Sequence, residues 1–144
     1  MPNYKPEGYS TVTPYLTVKG ASRLIDFIRD VLGGEVTLRM GDDPVGHAEM
    51  RVGDSLIMLA DAQTSDSGQP MPAMLYVYVR DADAVYEKAL AAGAKSVREP
   101  ADQFYGDRSA AVTDAFGNQW WFATHVEDVP PEEMERRVKA QATA

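Results

Sequence analysis

Residues 12–35 read VTPYLTVKGASRLIDFIRDVLGGE, and their reading decides the fold. Thr11–Val18 gathers β-branched and aromatic residues, as a strand requires. From Ala21 to Leu32, Leu24, Ile25, Ile28, Val31 and Leu32 fall at helical spacing. Gly33-Gly34 then supplies the left-handed stop that ends a helix. Three short strand candidates follow at Glu35–Met40, His47–Val52 and Leu56–Ala60, with a tight turn at Gly53-Asp54 before the last.

A shift of 61 residues brings the same order back. Leu75–Val79 matches the first strand, and Ala82–Ala92 matches the helix, with Asp81 or Asp83 as N-cap and Gly93 as stop. The pairs Val18/Val79, Lys19/Arg80, Ala21/Ala82, Asp26/Glu87 and Val36/Val97 fall in register. Strands near Ser96–Arg98, Ser109–Thr113 and Gln119–Thr124 complete the second half, with Gly117-Asn118 as its turn. The order of elements predicts an α+β fold of two βαβββ half-repeats, residues 11–62 and 73–125, inside one domain covering residues 1–128. Gln63–Pro72 reads as the linker between them. Residues 129–144 read as a helical tail that starts acidic and ends basic, as the helix dipole prefers.

Composition narrows the function. With 144 residues the chain can bury a core without help from a disulfide or metal, and its lack of cysteine removes thiolate chemistry altogether. A net charge of −8 argues against nucleic acid, whose phosphates need a basic face. The start MPNYKPEGYS lacks the layout of a signal peptide, and no apolar run is long enough to span a bilayer. A cytoplasmic protein with no membrane or nucleic-acid partner is expected.

The strand–helix–three-strand unit, repeated, resembles the vicinal-oxygen-chelate proteins, the glyoxalase, bleomycin-resistance and dioxygenase superfamily. Three local stretches carry the likeness: VTPYLTVKGASRLIDFIRDVLGGE, HAEMRVGDSLIMLADA, and FYGDRSAAVTDAFGNQWWFATHVEDVPPEEMERR. They resemble its PhnB-like branch, and the likeness spans roughly Val12 to Arg137. Such a family implies isomerases, dioxygenases, thiol transferases or plain drug binders, so the fold alone names no activity. Metal-using members hold a divalent ion from the first and fourth strands of each half. Carried over, those positions are Thr13, Met58, Met74 and Trp121, none a ligand for a hard or borderline cation. The resemblance therefore implies a protein without metal or other cofactor. His47 and Glu49, two apart on a strand, share a face and form an H-x-E pair, but two ligands do not make a site.

In this family the sheets curve around a cavity. Side-chain alternation puts Thr13, Tyr15 and Thr17 on the side of the former metal positions, with Met74, Tyr76 and Tyr78 in the second half. The opposite parity, Val12, Leu16, Val18, Leu75, Val77 and Val79, is apolar and should meet the helices. A ligand site is therefore expected from Thr13, Tyr15, His47, Met58, Met74, Tyr76, Tyr105, Arg108 and Trp121. Glu49 admits two roles. One is a general base or ligand partner with a carboxyl pKa raised by apolar surroundings; the other is a buried structural carboxylate. Asp107 and Arg108 read as an ion pair at the Gly106 turn.

Three functions compete at this point. The first is a metal-independent binder of an apolar or aromatic, even cationic, metabolite or drug, on the pattern of antibiotic-resistance proteins. The second is a metal-free isomerase or lyase with Glu49 as base, and the third a metal-dependent glyoxalase or dioxygenase, disfavoured by the four residues above. The resemblance also implies a homodimer.

Overall fold

The computed structural model describes residues 2–142. The order of elements is β1 (Tyr15–Val18), α1 (Ala21–Leu32), β2 (Glu35–Met40), β3 (His47–Val52), β4 (Ser55–Asp61), β5 (Met74–Tyr78), α2 (Ala82–Ala91), β6 (Lys95–Asp102), β7 (Asp107–Thr113), β8 (Gln119–His125) and α3 (Pro131–Ala142). A single 3-10 turn, Ala62–Thr64, opens the segment between the halves. The strands form two four-stranded sheets ordered β1-β4-β3-β2 and β5-β8-β7-β6. In each, the first strand runs parallel to the fourth and the rest is antiparallel, so the βαβββ repeat is realised twice. Contacts divide the chain into two units: one runs through Ala73 and includes Ala115–Asn118, and the other holds Met74–Asp114 and the chain from Gln119.

Within the first unit, α1 buries Leu24, Ile25, Ile28 and Val31, and the sheet buries Leu16, Val18, Met50 and Leu59. Each such side chain contributes about 1.5–3 kcal/mol on leaving water. Gly20 occupies the N-cap of α1 and offers no side chain to cap it. The buried Asp61, at the end of β4, does so from 40 residues away. Its carboxylate accepts from Gly20 N (2.9 Å), Ala21 N (3.1 Å) and Val45 N (2.7 Å). Burial alone would push its pKa up, but these three backbone donors outweigh it and hold the carboxyl below its ordinary value. Nothing in the order of residues singles Asp61 out, because the groups it satisfies are distant in sequence.

The second unit buries Tyr86 and Ala89 of α2 with Ala110, Val112, Trp120 and Phe122 of the sheet. Asp81 caps α2 locally by accepting from Ala84 N. Where the first unit has Asp61, this one has Thr124 of β8, whose hydroxyl accepts from Ala82 N and donates to Val79 O, both at 2.9 Å.

Four expectations need correction. The first strand begins at Tyr15, not Thr11: Pro14 has no N–H to donate and enters the ladder only by its carbonyl, which accepts from Met58 N. Val12 is in consequence 82% exposed and meets no helix. β6 runs over Lys95–Asp102, well past Ser96–Arg98, with register shifts that accommodate Pro100 on an edge strand. β7 starts two residues early, at Asp107, and β8 extends to His125. In the tail, α3 starts at Pro131 with Glu132 and Glu133 in its first turn and Lys139 in its last. Its Arg137 donates to Phe104 O and pairs with Glu127.

Candidate functional site

Each sheet has one face turned to its helix and one turned away. On the first sheet, pairing aligns Tyr15 with Met58 and Met58 with Glu49, so these share the open face with His47. Tyr15 Oη lies 2.9 Å from His47 Nδ1, and His47 Nε2 lies 2.8 Å from Glu49 Oε2. Tyr9, from the segment before β1, donates its hydroxyl to Glu49 Oε1. If Tyr15 donates to Nδ1, the imidazole carries its proton on Nε2 and gives it to the carboxylate, so the four side chains form one continuous chain.

Glu49 is thus held below its ordinary pKa, first by the Tyr9 hydrogen bond and then by the one from His47, against the opposing effect of burial. The raised carboxyl expected for a base is the wrong sign, because sequence reasoning saw the apolar neighbours but not the donor arriving from residue 9. Tyr9 responds in the opposite sense, its phenol pushed up to about 12 by burial and by Glu49. Met58 and Thr13 border a cleft of about 240 Å³ together with Tyr4, Lys5, Pro6 and Tyr9. The segment before β1 therefore lies along this part of the open face.

On the second sheet, one row runs Tyr76–Trp121–Ala111–Arg98 and the next Tyr78–Ala123–Ser109–Ala101. Asp107 and His125 pair at the end of the same face. Buried Asp107 accepts from Tyr76 Oη (2.7 Å) and Tyr78 Oη (2.9 Å) on one oxygen, while its other oxygen meets His125 Nδ1 at 2.9 Å. Burial pushes this carboxyl up, but His125, Tyr76 and Tyr78 together hold it below its ordinary value. His125 is raised in turn by Asp107 and then by Asp128, which sits 2.7 Å from its Nε2. Gly106 sets this geometry: at φ 101°, a Cβ there would lie 2.1 Å from Glu127 O, so only glycine can make the turn into β7.

The expected Asp107–Arg108 ion pair does not form. Adjacent strand residues point to opposite faces, and Arg108 reaches Asp83 of α2 at 2.8 and 2.9 Å, and Asp102 at 3.3 Å. Arg108 therefore leaves the expected ligand set for the helix-facing side. Tyr105 stays near the open face, its hydroxyl 3.4 Å from that of Tyr76. Tyr15, Met74, Tyr76 and Tyr78 are exposed, and Trp121 is half-buried with the Arg98 guanidinium 5.6 Å from its ring centre. Trp120 points the other way, buried, with its indole N–H donated to Asp114. Sequence reasoning missed Tyr9, Asp107 as an acceptor, His125 and Arg98; the alternation of β7 and β8 could have placed the middle two.

The metal positions of the family do not fit a metal here. A hydroxyl, two thioethers and an indole at Thr13, Met58, Met74 and Trp121 are poor donors for a divalent cation. Among the described residues, no group of three His, Asp or Glu is arranged to hold one elsewhere. No helix of the described residues is long and apolar enough to cross a membrane.

With this geometry in hand, the sequence profile of the Glyoxalase/Bleomycin resistance protein/Dioxygenase superfamily matches residues 10–122. The chain belongs to that superfamily. An uncharacterized protein of Mycobacterium bovis is 31% identical over 142 residues, covering 90% of this chain and 93% of its own. An uncharacterized protein of Mycobacterium tuberculosis is also 31% identical, with 90% of this chain and 83% of its own covered. Among crystal structures, TioX from Micromonospora sp. ML1 superposes with a TM-score of 0.68 at 27% identity, over 81% of this chain and 99% of its own. A glyoxalase/bleomycin resistance protein/dioxygenase from Nocardioides superposes with a TM-score of 0.62 at 20% identity, over 90% of each chain, and shows the shared fold.

Proposed function

We propose that this superfamily member binds a small organic molecule with aromatic or apolar surface, without a metal ion, on the open faces of its sheets. The observation that carries this is the exchange of ligating side chains for Met58, Met74 and Trp121, beside exposed Tyr15, Tyr76 and Tyr78. Thioethers and aromatic rings give adaptable apolar contact, and phenols add directional hydrogen bonds. The stretches HAEMRVGDSLIMLADA and YGDRS…FATH support the PhnB-like branch, and sequestration of a drug or metabolite in the cytoplasm is the role that suits it. Exposed Val36, Leu38 and Met40 on edge strand β2, with Val97 on β6, support a homodimer that covers these edges. Glu49 as general base draws no support, since its oxygens are engaged by Tyr9 and His47 and its pKa is lowered.

The test is a thermal-shift screen of metabolites and antibiotics with and without EDTA. A true ligand raises the melting temperature by mass action, and EDTA leaves that rise unchanged. About one equivalent of zinc, nickel, iron or manganese per chain after mild purification, with a rise lost in EDTA, overturns the reading. Light scattering at the monomer mass overturns the dimer.

A further inference from the structure

We infer that the open face of the first sheet takes a neutral phenol, which seats its hydroxyl on Glu49 in the place now held by Tyr9. This rests on the binding role proposed above and names the ligand class for one of the two faces.

The present occupant of the seat carries the argument. Tyr9 belongs to the chain before β1, yet its hydroxyl donates to Glu49 Oε1 on β3. Its ring is a phenol delivered on a tether to the carboxylate that ends the Tyr15–His47–Glu49 chain. Among the described residues, this is the one hydrogen bond by which residues 2–13 hold the sheet. The segment's other bonds are its own: Lys5 Nζ donates to Tyr9 O, and Tyr9 N donates to Pro6 O. Beside Tyr9 runs the cleft of about 240 Å³ bordered by Thr13 and Met58, so the tether covers the face without filling it.

A tethered group with one anchor can exchange with a free molecule of the same chemistry, and the tether then sets how strongly the two compete. The seat lies close to solvent. The side chains of His47 and Glu49 keep 20% and 19% of their surface exposed even with Tyr9 in place. A ligand ring that replaces the Tyr9 ring can extend any substituent into the neighbouring cleft.

Counting donors and charges selects the class. Glu49 is ionised and accepts only; His47 engages its Oε2, which leaves one acceptor oxygen for a ligand. A phenol brings one donor to that oxygen. An ammonium brings three, and meets Lys5 and Arg51, the latter close enough for its charge to act on the Tyr9 phenol. An anion meets the charge of Glu49 itself. A phenol also keeps its proton here, as Tyr9 does with its pKa pushed up to about 12. The ligand at this face is therefore neutral, not the cation that the chain's charge of −8 would attract at long range.

The experiment uses four probes on one ring: 4-methylphenol, which is the tyrosine side chain itself, toluene, 4-methylbenzoate and 4-methylbenzylamine. Each is titrated by NMR, with the rings of the chain's two histidines as reporters. A strap closed about 90% of the time weakens a free competitor about tenfold, so Tyr9→Ala should bind 4-methylphenol about tenfold tighter than the parent. Tyr9→Phe keeps the ring but drops the donor, and should give a smaller gain in the same direction. In Tyr9→Ala, 4-methylphenol should bind about tenfold tighter than toluene, with both charged probes weaker. Adding Glu49→Gln should shrink that margin to about threefold, because an amide oxygen accepts more weakly than a carboxylate. The bound phenol should shift the His47 ring signals and leave those of His125 in place. Equal or tighter binding of any other probe overturns the inference, as does a shift confined to His125. So does 4-methylphenol affinity that rises in neither Tyr9 variant. If all four probes fail while other compounds pass the thermal-shift screen, this inference falls and the binding role stands. If that screen also finds nothing, both fall.

Discussion

The two half-repeats close the start of their helices at the same place by different chemistry. Asp61 at the end of β4 offers a buried carboxylate to three backbone N–H groups, whereas Thr124 near the end of β8 offers one hydroxyl to one N–H and returns its proton to a carbonyl. The difference tracks what each helix brings. α2 has its own cap in Asp81, so Thr124 only supplements it; α1 has Gly20 and depends on the carboxylate wholly. The open faces differ in the same spirit. The first is crossed by residues before β1, which satisfy Glu49, while on the second Asp107 is satisfied from within the sheet by Tyr76, Tyr78 and His125.

The sharpest way to break the comparison is to delete both caps. Asp61→Ala should cost about 3–4 kcal/mol, three donors being left buried, and Thr124→Ala about 1–2 kcal/mol. Urea melts check this, and equal losses would mean the halves are capped alike.

Next come the two open-face carboxylates. Glu49→Gln and Asp107→Asn should each cost about 1–3 kcal/mol by weakening hydrogen bonds to a charged acceptor. The acid limb gives their sign. Glu49, Asp61 and Asp107 all have folded pKa values below the ordinary carboxylate range. Their stabilisation is therefore complete above roughly pH 4–5 and is lost as pH falls through the lower folded values. Urea stability followed into acid should fall less steeply in each variant than in the parent, and an unchanged slope would contradict the hydrogen bonds described.

The smallest effect belongs to His125, which is half exposed. Its folded pKa is raised, so the stability it adds is fully present below its ordinary value near 6.5 and fades as pH rises through the folded value. A shallow decline in melting temperature across neutral to mildly alkaline pH is expected in the parent and should vanish in His125→Gln. Persistence of the decline would assign it to another group.

Much of the fold was legible because hydrophobic period and turn residues are local properties. β2 and β3 came out at their expected bounds, and α1 and α2 within a residue. The face assignment also held: Trp120 is buried and Trp121 lies on the open side. The misses are pairings between distant residues. Tyr9 reaches Glu49 across 40 positions, and Asp61 reaches Ala21 across 40, with no pattern in the chain that announces either. Asp107 was matched to Arg108 because they adjoin in sequence, and adjacency on a strand is what separates two side chains.

The cap on α1 also bears on the order in which the chain acquires its structure. The amides of Gly20 and Ala21 find their acceptor only when β4 has taken its place beside β1, a loop closure of 40 residues. α2 has its first acceptor three residues away, in Asp81, and can close its opening turn before any strand pairs. In a pulsed hydrogen-exchange experiment, Ala84 should gain protection early in refolding, while Gly20 and Ala21 should wait for the amides of β4.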